Sequence, residues 1–324
     1  MTDLQTKIYE SLLLSGGGYI SGEKLAADCG ITRSSVWKAI NALRKKGIEI
    51  EAVTNAGYRL ADGKVSAEGI SARLRAKDFY KIRYESRVTS TNTLLKAEAS
   101  GGAAEGNVLV ASEQTEGRGR FGRSFVSPES GIYLSVLLRP DMTAGDAVSI
   151  TAAAAAAVSR AIDKVGKRRT AIKWVNDILI DGKKVCGILT EGILSLETGR
   201  LDSAVLGIGI NVAPPKDGWP EFIKDTAAAV FPSAAEAAEN DAYNRLCSEL
   251  LDNFHDIYVK FPDRSFMEEY RKKSLAVGRR ISVIKGNSVR PATAIAVGDD
   301  ASLLVRYDGG EEEHLNSGEI SIKL

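Results

Sequence analysis

A chain of 324 residues with a net charge of +1, 44% hydrophobic and 26% charged, has room for about two domains, or three small ones, and the makeup of an ordinary globular protein. The near-neutral total excludes a uniformly polycationic molecule, so any nucleic-acid binding must come from a local patch. Three widely spaced cysteines (Cys29, Cys186, Cys247) and two histidines (His255, His314) exclude a disulfide scaffold and a CxxC knuckle, and argue against zinc or haem chemistry.

The opening MTDLQTK is polar and lacks the basic-then-apolar order of a signal peptide, and the longest apolar run, Ile150–Val158, reaches about half of a membrane span. A cytoplasmic protein with no membrane partner is expected. Leu4, Ile8 and Leu12 recur at helical spacing and predict a first helix, broken at Gly16-Gly17-Gly18. Ser21 begins a short second helix that buries Leu25 and Ala26 and ends at Gly30. Thr32 is an N-cap for a third, which buries Val36, Ile40 and Leu43 and stops at Gly47. A hairpin follows: IEIEAV, a turn at Asn55-Ala56-Gly57, then YRL. This order makes a winged helix-turn-helix, placed at residues 1–62. The outward side of its third helix carries Arg33, Ser34, Ser35, Lys38 and Asn41, followed by Arg44, Lys45 and Lys46. Five basic residues and no acid lie between Thr32 and Ile48. That supplies charge for phosphates and short polar side chains for base edges, hence operator DNA as a partner; the alternative is a solvated helix face that meets protein. Trp37 is expected to pack inside the domain or against the wing.

ADGKVSAE, ahead of Gly69, reads as a linker. From there to about residue 272 strands alternate with helices. Val108–Ala111, Tyr133–Leu138, Ala171–Trp174, Ile178–Ile180, Val185–Leu189 and Val205–Val212 read as strands. Ser149–Val165, with alanine at all six positions from 152 to 157, reads as a buried helix lying close to a sheet. Leu246, Leu250, Phe254, Ile257 and Phe261 mark a later amphipathic helix, with His255 off its stripe and solvated. Over 275–324 the runs ISVI, PATAIAVG, LLVRY and EISIKL are short strands of a small all-β barrel, with His314 in a loop.

The chemistry concentrates in the middle segment. GRGRFGRSF at 117–125 alternates Arg118, Arg120 and Arg123 with Gly117, Gly119 and Gly122 and contains no acid. Glycine admits close approach to the backbone and arginine supplies a fork of donors for carboxylate or phosphate, so the loop is suited to a small, multiply anionic ligand. Ser90-Thr91-Asn92 and Gln114 are neutral donors and acceptors suited to a urea or amide, although such runs also serve as turns and helix caps. In Lys173-Trp174-Val175-Asn176-Asp177 the carboxylate can hold a magnesium ion or a ribose hydroxyl and the lysine can face a phosphate; a plain Asn-Asp turn is the alternative. Lys183-Lys184-Val185-Cys186-Gly187-Ile188-Leu189, ending at Glu191, brings a lysine into a strand with a glycine that permits close ligand approach. VLGIGINV, through Asn211, adds more bare backbone. There is no GxxxxGK[ST], no strand-to-helix GxGxxG and no candidate Ser-His-Asp set. Chemistry must then rest on positioning and electrostatics, as in attack of a carboxylate, already ionised at neutral pH, on an α-phosphate.

GRGRFGR with Phe125, KWVND, KKVCGILTE and GIGIN resemble, in order and spacing, the motifs of the bifunctional biotin–protein ligase and biotin operon repressor family, and the resemblance runs from end to end. It implies an α/β (α+β) multidomain fold: the winged helix at 1–62, a mixed-sheet ligase core at 66–272 related to class II synthetase-like folds, and an SH3-like β-barrel at 275–324. It implies that Ser90, Thr91, Asn92, Gln114, Gly117, Arg118, Gly119, Arg120, Tyr133, Lys184 and Gly187 bind biotin, with backbone donors from Gly117 and Gly119. Lys184, Arg118 and Arg120 would stabilise charge in catalysis. Arg123, Phe125, Lys173, Asn176, Asp177 and Asn211 would meet ATP, with Phe125 stacked on adenine and magnesium at Asp177. The partners implied are biotin, ATP, a lysine of a biotin acceptor domain of acetyl-CoA carboxylase or a related carboxylase, operator DNA, and a second copy of the chain when adenylate is bound. Two positions depart from the family: Val175 replaces a usual proline, so that the turn before Asn176 is expected to be less rigid, and Phe125 replaces a common tryptophan, which weakens stacking. The rival readings are a ligand-sensing transcription factor with a lapsed core, a lipoate ligase and an RNA binder.

Overall fold

The computed structural model describes the chain except residues 16–17, 46–47, 49, 61–64, 195–196, 240, 287 and 323–324. The expected break at Gly16-Gly17, the helix stop at Gly47, Lys46 and the last two residues of EISIKL therefore lie outside the described residues.

The amino-terminal helices α1 (Asp3–Leu14), α2 (Gly22–Cys29) and α3 (Arg33–Lys45) start where short polar side chains can satisfy their first N–H groups. Thr2 and Gln5 form a capping box on α1, and Ser21 caps α2. Thr32 Oγ1 accepts from the Ser35 N–H at 3.2 Å at the start of α3. Gly30, at φ 65°, turns the chain out of α2 in the left-handed region. Ile8, Leu12, Leu25, Val36, Ile40 and Leu43 form one buried cluster with Ile50 of β1 (Ile50–Val53). β1 pairs antiparallel with β2 (Gly57–Leu60), and Ile20 and Tyr58 exchange two backbone bonds that fasten this wing to the start of α2. Gly57 is required there: its φ is 112°, and a Cβ would lie 2.1 Å from the Ile20 carbonyl oxygen. Trp37 corrects the sequence expectation. It is 58% exposed on α3 instead of packed inside, because the i, i+4, i+7 stripe of Val36, Ile40 and Leu43 already fills the core side.

The second half of the expected linker is helical: Ser66 caps α4 (Ala67–Arg73). This helix fastens the winged helix to the rest, since Tyr9 Oη lies 3.0 Å from Ser66 Oγ, and Arg73 donates to the Leu13 carbonyl at 3.0 Å while pairing with Asp241 at 2.7 Å.

The central sheet has seven strands in the order β3 (Lys81–Val88), β4 (Asn107–Gln114), β5 (Ile132–Leu138), β9 (Leu201–Ile210), β8 (Lys183–Leu194), β7 (Asp177–Ile180), β6 (Ala171–Lys173). The β3–β4 pair is parallel and the others are antiparallel, a mixed sheet as expected. Strand alternation gives its middle two different faces. Leu134, Val136, Cys186, Ile188, Leu206 and Ile208 join the main buried cluster with α6 (Ala147–Gly166) and α8 (Ala242–Tyr258). The alanines at 152–157 are fully buried there, and their small side chains let α6 lie close. On the other face Leu109, Leu137 and Val205 pack under α5 (Thr91–Ser100), and the remaining positions of that face are mostly small or polar. Sequence periodicity missed β3, α4, α5, α7 (Ala234–Glu239) and α9 (Phe266–Lys273). The later amphipathic helix ends at Tyr258, and Phe261 begins a separate 3₁₀ turn. His255 is half-buried against Phe79, ring centroids 4.9 Å apart, and not simply solvated.

Residues 280–322 form a five-stranded antiparallel sheet in the order β13 (Glu312–Leu315), β12 (Leu303–Tyr307), β11 (Ser288–Val297), β10 (Arg280–Lys285), β14 (Glu319–Ile322), the arrangement expected of an SH3-like unit. His314 lies in β13, not in a loop. The chain changes character near residue 275, but the hydrophobic core does not divide there: Ile281, Val283, Ala294 and Leu303 belong to the same cluster as α6 and α8. Leu275 N–H donates to the Ile172 carbonyl at 2.8 Å, and Trp174 Nε1 donates to the buried Ala301 carbonyl at 2.9 Å. Trp174→Phe leaves that carbonyl unsatisfied and should lower stability by about 1–3 kcal/mol in urea denaturation; a wild-type midpoint would refute the tie.

Candidate active site

The second face of the sheet is bare where β8 and β9 cross its middle. Tyr133, Gly209, Gly187 and Asp177 lie in one row across β5, β9, β8 and β7, and Ser135, Gly207 and Leu189 form the adjacent row. A Cβ at Gly187 or Gly209 would fall 2.8 or 2.5 Å from the Phe125 ring, and one at Gly207 would fall 2.1 Å from Asn92 Oδ1. The missing side chains let the Phe125 ring and the Asn92 amide lie against the strands, beside a cleft walled by α5, the 117–125 loop and Lys184.

One end of the cleft is polar and neutral. Ser90 caps α5, so that Thr91 and Asn92 enter the cleft from its first turn. The Thr91 N–H donates to Gln114 Oε1 at 2.9 Å, and Thr91 Oγ1 lies 3.1 Å from the same oxygen. Gln114 Nε2 donates to Ser127 Oγ at 3.1 Å. Below them, buried Ser135 Oγ lies 2.7 Å from Thr91 Oγ1 and 2.6 Å from Asn92 Oδ1. Asn92 Nδ2 donates to Glu191 Oε2 at 2.9 Å, and Lys96 pairs with the other Glu191 oxygen at 2.7 Å. Burial alone would raise the Glu191 carboxyl, but the bonds from Lys96 and Asn92 outweigh it and hold the group below its usual range. The Asn92 amide is therefore spent beneath the cleft. The Tyr133 hydroxyl is likewise committed, to the Pro128 carbonyl at 2.8 Å, leaving the ring as wall; burial pushes its pKa up.

The other end is cationic. Arg118 lines the cleft without an ion pair among the described residues. Arg120 donates to Asn176 Oδ1 at 3.2 Å and to the Gly318 carbonyl at 3.0 Å, with no carboxylate partner among the described residues. Burial loosens its hold on its proton, and the fields of Asp177 and Glu319 oppose that. Lys184 Nζ sits 2.7 Å from Asp177 Oδ1 and 5.4 Å from the Phe125 ring centroid. The loop closes on itself: Phe125 N–H donates to the Gly117 carbonyl at 2.9 Å and Gly119 N–H to the Arg123 carbonyl at 2.7 Å. The Gly119 donor is therefore used within the loop and does not face the cleft. A Cβ on Gly117 would meet the Phe125 carbonyl oxygen at 2.3 Å, so that glycine serves the fold of the loop.

Three expected ATP contacts stand away from the cleft. Arg123 is exposed and forms a two-pronged ion pair with Glu319 of β14, at 2.8 and 2.5 Å, which holds that carboxyl below its usual range. Lys173 lies outside the cleft, where its charge acts on Glu319. Asn211 is buried and donates to the Lys184 and Ala228 carbonyls at 3.3 and 2.9 Å. Asp177 reaches the cleft through Lys184. The turn at Val175, whose peptide with Trp174 is cis, has several anchors. Tyr270 donates to the Val175 carbonyl at 3.2 Å, Asn176 Nδ2 donates to the Ile188 carbonyl at 2.9 Å, and the Ile188 N–H returns a bond to Asn176 at 3.0 Å. Sequence reasoning did not single out Ser127, Ser135, Gly207 and Gly209 as site residues. The GIG alternation held a signal for the last two, but the pairing that aligns them with Gly187 is a tertiary fact.

Residues 84–211 match the Biotin/lipoate A/B protein ligase family model and residues 5–59 an HTH domain model. The chain is 34% identical over 314 residues to the bifunctional ligase/repressor BirA of Bacillus spizizenii, with 95% of each chain covered. The chain belongs to the bifunctional biotin–protein ligase/repressor family. It is also 26% identical over 317 residues to the Escherichia coli bifunctional ligase/repressor BirA, covering 96% of this chain and 95% of that one. A biotin protein ligase from Aquifex aeolicus, in complex with biotin and ATP, superposes with a TM-score of 0.58 at 27% identity, covering 76% of this chain and 99% of that one. Among the described residues no helix is long and apolar enough to cross a membrane.

The repressor half of this family member presents Arg33, Ser34, Trp37 and Lys38 as exposed residues of α3, while Ser35 and Asn41 are half-buried. In the ligase half, Gly209→Ala should push the Phe125 ring into the cleft and lower kcat/KM for biotin by roughly ten- to a hundredfold, the scale of an overpacking penalty of about 1–3 kcal/mol. Adding Phe125→Ala should restore part of the loss in pyrophosphate exchange; losses that simply multiply would show that ring and glycine are uncoupled.

Proposed function

We propose a residue-level course for the reaction that belongs with this family. The chain is an ATP-dependent biotin–protein ligase whose winged helix serves repression. The observation that carries the reading is the convergence, on one bare-backbone floor, of a neutral hydroxyl–amide set with three cations, two of them guanidiniums lacking a carboxylate partner among the described residues. Ser90, Thr91 and Gln114 hold the ureido ring of biotin, and the wall of Tyr133 flanks its apolar body. Asn92 supports them from below, and Gly187 lets the ligand lie on the strand. Arg118 and Arg120 receive the carboxylate and the α-phosphate, which repays the desolvation of Arg120. A carboxylate oxygen attacks the α-phosphorus and pyrophosphate leaves. Lys184 turns from Asp177 to the phosphate and stabilises the negative charge on its oxygens. The lysine amine of an acceptor domain, of acetyl-CoA carboxylase or a related carboxylase, then attacks the mixed anhydride carbonyl, and AMP departs.

Phe125 offers a face to adenine, and Asn176 steadies Arg120 beside it. Magnesium would arrive with ATP. Asp177 fits a metal carried on the nucleotide: its buried Oδ1 makes an ion pair with Lys184 but no hydrogen bond, and no cluster of three potential ligands occurs among the described residues. Lys173, Arg123 and Asn211 act at one remove, through Glu319 and the backbone around Lys184. Adenylate orders the 117–125 loop, and the ordered form pairs with a second copy to set two α3 helices on operator DNA. The setting is cytoplasmic. Biotin is favoured over lipoate because the Ser90, Thr91 and Gln114 set requires donors and acceptors that a dithiolane ring does not have.

Biotin-dependent exchange of labelled pyrophosphate into ATP tests this reading; no exchange with biotin, or equal exchange with lipoate, would sink it. Lys184→Ala should lower that exchange by roughly two or more orders of magnitude, and near-normal exchange would remove its role. For the DNA half, Arg33→Ala and Lys38→Ala should each flatten the dependence of log K on log salt by about one. Fluorescence anisotropy of adenylate-loaded protein on duplex from upstream of the host's biotin genes measures this; unchanged slopes would assign α3 to a protein partner.

A further inference from the structure

Helix α3 exposes one large apolar side chain among the described residues, Trp37, at 58%. Its neighbours are of a different kind. Arg33, Trp37, Asn41 and Lys45 recur at every fourth residue and form a ridge, about 18 Å long at the helical rise, with Ser34 and Lys38 beside it. A cation stands at each end of the ridge, the ring and the amide lie between them, and α3 carries no acid. Arg44 is spent elsewhere: its guanidinium donates to the Ile50 carbonyl at 3.0 and 2.6 Å and holds β1 against the helix. The hydroxyls at the start of the helix are partly engaged, since Ser34 Oγ and Ser35 Oγ each lie 2.9 Å from Thr32 Oγ1. The wing offers little to a base. Arg59 pairs with Glu51 at 2.7 Å and lies over the Tyr19 ring at 4.8 Å, and the wing tip at Thr54-Asn55 is uncharged. The reading of bases therefore falls to the middle of α3, where Trp37 is the largest group.

An exposed indole can serve a protein partner or DNA, and its surroundings decide between them. A protein-binding patch is a contiguous apolar area poor in lysine. Here the ring stands alone on a ridge of cations and polar groups, the complement of a polyanion. The major groove is about 12 Å wide, so the ends of the ridge reach its flanking phosphates while the middle faces base edges. Those edges present nitrogen and oxygen atoms and one bulky apolar group, the C5 methyl of thymine. We infer that Trp37 is a specificity-determining residue whose ring packs on a thymine methyl in each half-site of the operator. The inference rests on the DNA reading of the winged helix. Arg33 and Lys38 supply affinity for any duplex. The ring supplies preference among duplexes, because apolar surface is buried only where a methyl stands beneath it.

The test uses the adenylate-loaded full chain and fluorescence anisotropy on the duplex from upstream of the host's biotin genes. Thymines are replaced by deoxyuridine one symmetry-related pair at a time, which removes the methyl and keeps every hydrogen-bonding group. In the wild type at least one pair should cost about tenfold in affinity, the scale of two buried methyl groups. Trp37→Ala should bind the thymine and deoxyuridine duplexes equally. It should hold its affinity for an unrelated duplex within about twofold and keep its salt slope, because no charge is lost. Arg33→Ala and Lys38→Ala should do the reverse, weakening every duplex and leaving the thymine-to-deoxyuridine ratio standing. A merely structural role for the ring would also weaken every duplex together and leave that ratio standing. An unchanged ratio in Trp37→Ala, or a wild type indifferent to every deoxyuridine pair, overturns the inference. Loss of self-association by Trp37→Ala in sedimentation without DNA gives the ring to a protein partner and overturns it too. A wild type that binds this duplex no more tightly than an unrelated one overturns the DNA reading along with it. If a thermal melt shows Trp37→Ala unfolded, Trp37→Gln decides in its place.

Discussion

The walls of the cleft hold their places because three strand positions carry no side chain. Gly187, Gly207 and Gly209 lie on one face of β8 and β9, and the space above them is taken by the Phe125 ring and the Asn92 amide. Had any of them a Cβ, the ring or the amide would have to move, and with it the 117–125 loop or the start of α5. The same alternation puts Cys186, Ile188, Leu206 and Ile208 into the apolar cluster with α6 on the opposite face. One pair of strands thus supplies both the stability of the sheet and the emptiness of the site, and neither can be changed without the other.

Charge is arranged around that floor by unequal pairing. Lys184 has Asp177, Arg123 has Glu319 and Lys96 has Glu191, whereas Arg118 and Arg120 have no carboxylate in contact among the described residues. A half-buried guanidinium held by an amide oxygen and a backbone carbonyl is incompletely compensated, which is the condition under which an incoming anion gains most. The loop is also tied to the carboxy-terminal sheet, through Arg120 to Gly318 and Arg123 to Glu319. That sheet shares the main hydrophobic cluster, so the loop is braced against the body of the protein. At the other end of the chain, α4 joins the winged helix to the core through Tyr9 and Arg73, close to Asp241 at the start of α8.

Much of this was legible in the chain itself. Caps, helical stripes and the Asn55–Gly57 turn are local, so the winged helix could be read almost residue by residue, apart from Trp37. The β-rich ending and most strands of the core were also visible, because runs of Ile, Val and Leu between turn residues carry the period of a strand. β3 was missed although Ile82, Tyr84 and Val88 alternate with Lys81, Arg83, Glu85 and Arg87, because four charges in eight residues mask a pattern that Ser86 also interrupts. α5 was missed because Ser90-Thr91-Asn92 reads equally as a turn, a cap or a ligand set, and in the fold it serves as a cap and as a wall at once.

The sequence by itself determined the inventory: which arginines, lysines, amides and glycines were available, and in which order. Residue types and spacing suffice for that, because chemical identity and short-range periodicity are local properties. Tertiary structure alone decided which of them meet. It turned Arg123 outward to Glu319 and Asn211 inward to the backbone, spent the Gly119 N–H inside its own loop, and brought Ser135, unremarkable in the sequence, beneath Thr91 and Asn92. Those outcomes depend on strand register and on pairings between residues far apart in the chain, and register is set by the packing of the whole sheet.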